Sequence, residues 1–261
     1  MMPNLLQFDP TQIIGFVVIF TRITGIMVIS PILGDTNIPM QIKVAIAFVF
    51  SLVFFPVVGA ADLGPNPELS RILYVAVTEF GLGLVMGFAV RMLFTGVSLA
   101  GEVAGFQMGV GVANIFDPSS EQQVSLIGQI QVIFALLLFV TLDGHHLLIK
   151  SLVESYAIVP PGGLALSEQG MRFFVAQAGN IFLIGLQIGA PLIVALLAAN
   201  FSMGLIARSV PQMNVIVVGF PFSIGLGLLF LFLGFPYFMR SMMVIIERLD
   251  DILMAALKLL G

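Results

Sequence analysis

The sequence predicts an all-α membrane protein with about six long hydrophobic helices, and three observations carry that prediction. Of its 261 residues, 59% are hydrophobic and only 9% are charged, whereas a soluble domain usually carries roughly 25% charged residues. That leaves too little polar surface to coat a water-facing globule. The mean hydropathy, +1.12, says the same. Finally, the apolar residues gather into six runs bounded by Pro, Gly, Asn or Asp, most of them near the roughly 20 residues that a bilayer core requires.

The first run spans residues 11–30 and stops at Pro31, and the connector after it ends at Pro39. The second, 40–58, ends in the break Gly-Ala-Ala-Asp-Leu-Gly-Pro-Asn-Pro over 59–67. The third, 68–100, is too long for one perpendicular span. The fourth covers 123–142, the fifth 171–199 and the sixth 213–235. The last segment, 237–260, is amphipathic: Ile245, Leu249, Ile252, Leu253, Ala256 and Leu260 recur at helical spacing. It reads as a surface helix lying on the membrane or on a partner. If the runs alternate sides, more Lys and Arg fall on the side of the termini, and the positive-inside rule then favours cytoplasmic termini.

The net charge of −4 comes from few charges of either sign, so neither nucleic-acid binding nor a polyacidic tail is expected. Absence of cysteine removes disulfides, thiolate metal sites and cysteine nucleophiles. The N-terminus lacks the basic start and small-residue cleavage site of a secretory signal, so the first run is expected to remain in the mature protein. Trp is absent and Tyr scarce, which weakens the aromatic belt common at membrane interfaces.

Few features could carry chemistry. Gly101, Gly105 and Gly109 repeat every four residues, and on a helix they would form a smooth stripe permitting close backbone approach. Gly111, Asn114 and Asp117-Pro118 then discourage a continuing helix. Non-helical backbone at membrane depth is tolerated only where protein or a water-filled cavity surrounds it. The stretch is therefore either a solvent-side loop or a re-entrant segment at a pore. Arg22, Glu79 and Arg91 sit inside apolar runs, where charge is expensive. They read either as the lining of a polar pathway or as a buried ion pair, for instance Arg22 with Glu79. Adjacent His145 and His146 point about 100° apart on a helix, which suits an interfacial helix end better than a metal site. The 14 methionines are scattered, as gap-fillers between helices are. There is no phosphate loop, H-E-x-x-H or nucleophile elbow, so no enzyme activity, cofactor or metal is expected.

The most specific string runs from Arg208 to Pro221. Physically it is a short polar break between helices, with Pro211 near a helix start and Asn214 able to cap. As a string, its Arg208, Pro211, Gln212, Met213, Asn214, Gly219 and Pro221 closely resemble the R-x-x-P-Q-M-N-x-x-x-x-G-x-P signature of the FliR family, a component of the flagellar type III export gate. Positions elsewhere agree in order: Pro31, Pro39, Pro56, the stretch from Ala100 to Pro118, Asp143-Gly144-His145-His146 (with Asp for the usual Gly), Ala190-Pro191, and Asn200 to Gly204.

The resemblance implies a FliP-like part over residues 1–166, followed over 167–261 by a FliQ-like helical hairpin and the amphipathic C-terminal helix. It implies assembly with FliP-like and FliQ-like subunits, joined by FlhB-like and FlhA-like proteins, in the bacterial inner membrane at the flagellar basal body. Unfolded flagellar subunits would be the export substrates. The family's pore plug would fall on Phe106, Gln107, Met108, Gly109, Val110, Gly111, Val112, Ala113, Asn114, Ile115, Phe116, Asp117 and Pro118. An equivalent subunit of a virulence type III system is a neighbouring reading. A small-solute secondary transporter is a reading of another class: Gly185, Gly189 and Pro191 in the fifth run, with Gly219, Pro221 and Gly225 in the sixth, could mark broken helices. The matched repeats such transporters carry are missing. Buried charge, frequent Gly and Pro and the absence of Trp suit helices that face other protein better than lipid, so some runs are expected to form bent hairpins.

Overall fold

The computed structural model describes residues 10–31, 34, 38–59, 67–110, 125–165, 167–212 and 214–261. Among them are eight helices: α1 (Pro10–Ile29), α2 (Met40–Val58), α3 (Leu69–Gln107), α4 (Leu126–Thr141), α5 (Gly144–Ile158), α6 (Glu168–Ser209), α7 (Val215–Leu233) and α8 (Phe235–Leu260). No strand occurs among the described residues. Helices α1, α2, α3 and α6 are each long and apolar enough to cross a membrane. Two further pairs meet that test only when joined across a bend, α4 with α5 at 64° and α7 with α8 at 56°. The six apolar runs therefore correspond to four candidate spans, or up to six with the bent pairs.

Three helices differ most from the sequence reading. Helix α3 runs to Gln107, past Gly101 and Gly105. Helix α6 has 42 residues and passes straight through Pro191. At 1.5 Å per residue such helices are about twice the roughly 30 Å of a hydrocarbon core. Helix α5 has no counterpart among the runs, because Lys150, Glu154 and three polar hydroxyl residues interrupt its apolar pattern.

Helix starts follow side-chain capping where a hydroxyl is available. Ser125 Oγ accepts from the Gly128 amide at the start of α4, and Ser167 Oγ accepts from the Gly170 amide at 2.9 Å at the start of α6. Asp143, after α4, adopts a left-handed conformation with φ 57°, which stops the helix before α5 begins.

The described helices divide into two compact units, residues 1–92, 144–177 and 248–261 in one and 93–143 and 178–247 in the other. In the first, α1 and α3 approach so closely that glycine is required. A Cβ on Gly83 would meet the Arg22 carbonyl and the Gly25 Cα, and one on Gly87 would meet the Ile26 backbone. Val18 and Val75 are buried there, with Ile14 and Tyr156 packed against them. Helix α2 touches α1 through Phe48 against Phe16, ring centroids 5.2 Å apart. Within α2 only Ala47 and Ser51 are buried, so most of its apolar surface is uncovered by this chain.

The amphipathic segment behaves differently from the surface helix that its pattern suggests. Leu249, Leu253, Ala256, Leu257 and Leu260 are buried within the chain. The Ala165 amide donates to the Leu260 carbonyl at 2.7 Å, and Ser167 Oγ donates to the Leu259 carbonyl at 2.9 Å. These bonds satisfy carbonyls that a helix C-terminus otherwise leaves open. Ser151 Oγ adds a bond to Asp250 Oδ1 at 3.3 Å. The apolar stripe therefore faces the chain's own helices, and the membrane or partner reading of it is corrected.

The second unit is organised by the same small-residue rule. A Cβ on Gly101 would meet Gly128, one on Gly105 would meet Ser125, and one on Gly96 would meet Ile184. Ala104, Met108, Ile127, Leu192 and Leu196 form its core.

Candidate functional site

The site is built at the C-terminal end of α3, in the second unit. A helix leaves its last carbonyls without intrahelical partners, and here three devices answer that need. The Met108 amide bonds the Ala104 carbonyl at 2.9 Å, and the Gly109 amide bonds the Phe106 carbonyl at 3.0 Å. Gly109 then turns the chain out of the helix with φ +79°, a conformation glycine adopts without the penalty of a side chain. The Gln107 carbonyl is taken by Asn200 Nδ2 from α6 at 3.3 Å. Asn200 is itself held, because its Oδ1 accepts from Ser223 Oγ of α7 at 3.2 Å.

Packing reinforces these bonds. Met108 is fully buried in the core described above, and its thioether occupies the space a Cβ on Gly227 would need. Gly109 lies directly on the Phe220 ring, leaving no room there for a side chain. A cavity of about 420 Å³ opens between these elements, with Gln107, Asn200, Met203, Gly219, Phe220 and Ser223 on its wall. A larger cavity, about 670 Å³, lies among α4, α6, α7 and the start of α8, and Phe134, Pro191, Leu192 and Phe230 make it almost wholly apolar.

Of the glycine-rich segment singled out from the sequence, Phe106, Gln107, Met108, Gly109 and Val110 are the part described. Phe106 is exposed, and Val110 packs beside the core. Gly111, Val112, Ala113, Asn114, Ile115, Phe116, Asp117 and Pro118 lie outside the described residues. The predicted glycine stripe is thus two residues on the helix, Gly101 and Gly105, with Gly109 as the residue that ends it.

The 208–221 string divides by role. Arg208 occupies the last turn of α6, where a cation complements the helix dipole. Pro211 and Gln212 form an exposed turn, and Met213 lies outside the described residues. Asn214 caps α7, its Oδ1 accepting from the Val217 amide at 3.3 Å. Gly219 and Pro221 sit within α7 on either side of Phe220. The fold therefore joins two features that lie about a hundred residues apart in the chain. The second half of the string faces the root of the glycine-rich segment.

The intramembrane charges separate into two cases. Arg22 and Glu79 form a buried pair, both side chains fully inaccessible. Arg22 Nε donates to Glu79 Oε2 at 2.7 Å and Nη2 to Oε1 at 3.0 Å. The remaining guanidinium edges reach Ser155 Oγ at 2.7 Å and the Val159 carbonyl at 3.1 Å. The Gly162 amide donates to Glu79 Oε1 at 3.2 Å, and the Tyr156 ring lies under Arg22 Cζ with 3.9 Å to its centroid. Of the two readings of Arg22 and Glu79, the geometry is that of the ion pair. Arg91 is exposed on α3 instead of buried. His145 and His146 open α5 with ring centroids 4.1 Å apart, and with Asp143 they bring one possible ligand atom each to within 4.8 Å of one another, a grouping that could hold a metal ion and that adjacent histidines on a helix did not suggest.

Sequence reasoning missed Ser223 and Phe220 and noted Asn200 only as part of a matching stretch. Asn200 lies one residue past the fifth apolar run, and α6 continues through it to Ser209. Its partners are a backbone carbonyl and a serine on other helices, and no local pattern points to either.

The chain is similar to known proteins over most of its length. The sequence profile of the bacterial export proteins, family 1, matches residues 13–249. Flagellar biosynthetic protein FliR of Escherichia coli (strain K12) is 33% identical over 208 residues, 79% of this chain and 78% of that protein. FliR of Bacillus subtilis (strain 168) is 32% identical over 221 residues, 83% of this chain and 84% of that one. FliR of Buchnera aphidicola subsp. Acyrthosiphon pisum (strain APS) is 28% identical over 255 residues, covering 94% of this chain and 96% of that protein. A match of this length takes in at least part of each described helix, the 208–221 string and the root of the glycine-rich segment, and the chain belongs to the bacterial export proteins, family 1, as a member of the FliR family.

Proposed function

We propose that this chain is a structural and gating subunit of the flagellar type III export apparatus, helping to form the pore through which unfolded flagellar subunits leave the cell. The observation that carries the gating role is the close seating of Gly109 on Phe220. A glycine-rich stretch that begins at so firmly held a root suits a stopper. In this reading residues 106–118 plug the pore. The chain's 1–166 portion plays the FliP-like part and 167–261 the FliQ-like hairpin. FliP-like and FliQ-like subunits surround it, FlhB-like and FlhA-like proteins join them, and the assembly sits in the inner membrane at the basal body. The uncovered apolar surface of α2, α6 and α7 suits burial against such subunits. The chain supplies shape and closure, and the energy for export comes from elsewhere.

The gate is expected to copurify with FliP-like and FliQ-like proteins, and the chain alone is expected to aggregate. Deleting residues 111–117 should let proteoliposomes containing the assembled gate leak potassium while the subunits still copurify. If the deletion leaves the vesicles tight and only destroys assembly, the segment is structural and the plug assignment is wrong. Liposomes containing this chain alone should take up no small solutes, the outcome that separates a gate from a secondary transporter.

A further inference from the structure

We infer that Asp143, His145 and His146 form a binding site for a divalent transition-metal ion of the zinc class at the start of α5, with water completing the coordination. The inference goes beyond the gating role and does not depend on it. All three ligands fall within four consecutive residues, so the local backbone sets their arrangement. The site overturns the expectation, drawn from the splay of adjacent histidines on a helix, that this pair marks only a helix end.

Backbone geometry brings the three residues together. Asp143 is left-handed, with φ 57°, a conformation uncommon for a residue with a Cβ and better tolerated by Asp than by most. Side chains in a helix lean toward its N-terminus, so His145 and His146, in the first turn of α5, lean back toward Asp143. Ideal geometry would separate the directions of adjacent side chains by about 100°. Here the two imidazoles lie with centroids 4.1 Å apart and planes 38° apart. One ligand atom from each of the three residues results, all within 4.8 Å of one another. Two ligands of one tetrahedral zinc, each roughly 2.0–2.2 Å from it, are about 3.4 Å apart, so small side-chain rotations close the set. A second observation points the same way. His145 Nδ1 is buried and has no hydrogen-bond partner, whereas buried polar atoms normally have one. A metal ion is a partner that a neutral imidazole takes without any donor nearby. Asp143 and His146 are exposed, which gives the ion an entry path and leaves its remaining positions to water. The Asp143 carboxylate also offsets the positive end of the α5 dipole, which by itself disfavours a cation. The donor set selects the class: two imidazoles and a carboxylate suit zinc and its neighbours, whereas calcium and magnesium prefer oxygen ligands throughout.

The test uses the full chain, purified in detergent with its accompanying subunits through a tag that contains no histidine, and stripped with EDTA. Cobalt(II) alone is then titrated in and followed by its visible absorption, and zinc is added to displace it. We expect one cobalt per chain, displaced by one zinc. Asp143→Asn, which also tolerates the left-handed backbone, and His146→Gln, at an exposed position, should each weaken binding by about tenfold or more, since even a group that only orients a ligand contributes that much. Both variants should copurify with the same subunits and keep the wild-type thermal midpoint in EDTA. No bound cobalt in the wild type, or binding that survives either variant unchanged, overturns the site. Should a variant fail to fold, the wild type still decides. His145 and His146 are the chain's two histidines, and zinc should protect His146 from acylation by diethyl pyrocarbonate, read by mass spectrometry of the peptide. Acylation that zinc leaves unchanged would equally sink the proposal, and none of these outcomes bears on whether the chain gates a pore.

Discussion

The Arg22–Glu79 knot shows what a buried charge requires in an apolar chain. Two ions removed from water lose several kcal/mol of hydration each. The pair holds its place only because the guanidinium and the carboxylate are both further satisfied by Ser155, the Val159 carbonyl and the Gly162 amide. The geometry depends on glycine one helical turn away, because Gly25 and Gly83 let α1 and α3 come near enough for the side chains to meet. Removing one partner leaves an uncompensated charge, so Arg22→Met or Glu79→Gln should each destabilise the purified complex by about 3–5 kcal/mol. The double variant should cost clearly less than the sum of the two. Thermal midpoints of the four proteins in one detergent would measure this. Simple additivity would mean that the pair is not coupled. Gly83→Ala should be comparably damaging on the same measurement, because its new methyl meets backbone that has no room to move.

At the scale of the element, the long helix α6 solves a problem that its own sequence creates. Pro191 has no amide hydrogen, so the Gln187 carbonyl, four residues earlier, loses its helical donor. Tyr237 supplies the replacement, its hydroxyl donating to the Gln187 carbonyl at 2.9 Å. Tyr237 lies just after the Gly234 break where α7 and α8 bend by 56°, so the same bond ties the bend to α6. Tyr237→Phe should therefore cost about 1 kcal/mol. Adding Pro191→Ala should recover most of that, since an alanine at this position would restore the missing amide donor. Thermal midpoints of the single and double variants would check it. If the double variant is no more stable than Tyr237→Phe alone, the bond and the proline are unrelated. Breaks of this kind explain why the sixth run and the amphipathic tail form one bent pair, and why a proline inside α6 does not end it.

Across the whole molecule, far more apolar surface is made than is covered. Among the described residues the helices bury glycine-lined seams and apolar core in each unit, yet α2 keeps only Ala47 and Ser51 covered while Val49, Val53 and Val57 stand exposed. A photo-reactive side chain at Val53 should crosslink to lipid or to another subunit, and one at Ala47 should crosslink within the chain. Equal intrachain products from both positions would mean that α2 is already covered. The same incompleteness accounts for the composition: apolar residues far beyond what this fold buries make sense for a chain that is one part of a larger assembly.

Amino-acid composition and the length of the apolar runs are enough to establish an all-α membrane protein, because backbone polar groups in hydrocarbon must be satisfied within each segment. The 208–221 string, read alone, is enough to point to the family. Local chemistry also marks Arg22 and Glu79 as needing partners, and it discourages a helix from Gly111 onward, two residues past the Gly109 turn that follows the end of α3. Which partners they find is a long-range matter. Arg22 meets residues 57 to 137 positions away, and Asn200 meets a carbonyl 93 positions away. Periodicity cannot reveal such pairs, because they follow from how the helices of each unit cross. The short, polar-interrupted α5 is hidden from the hydropathy pattern for a related reason: its helicity is supported by packing in the first unit more than by its own pattern. The seating of the string on the end of α3, which turns two separate motifs into one site, exists only once the chain is folded.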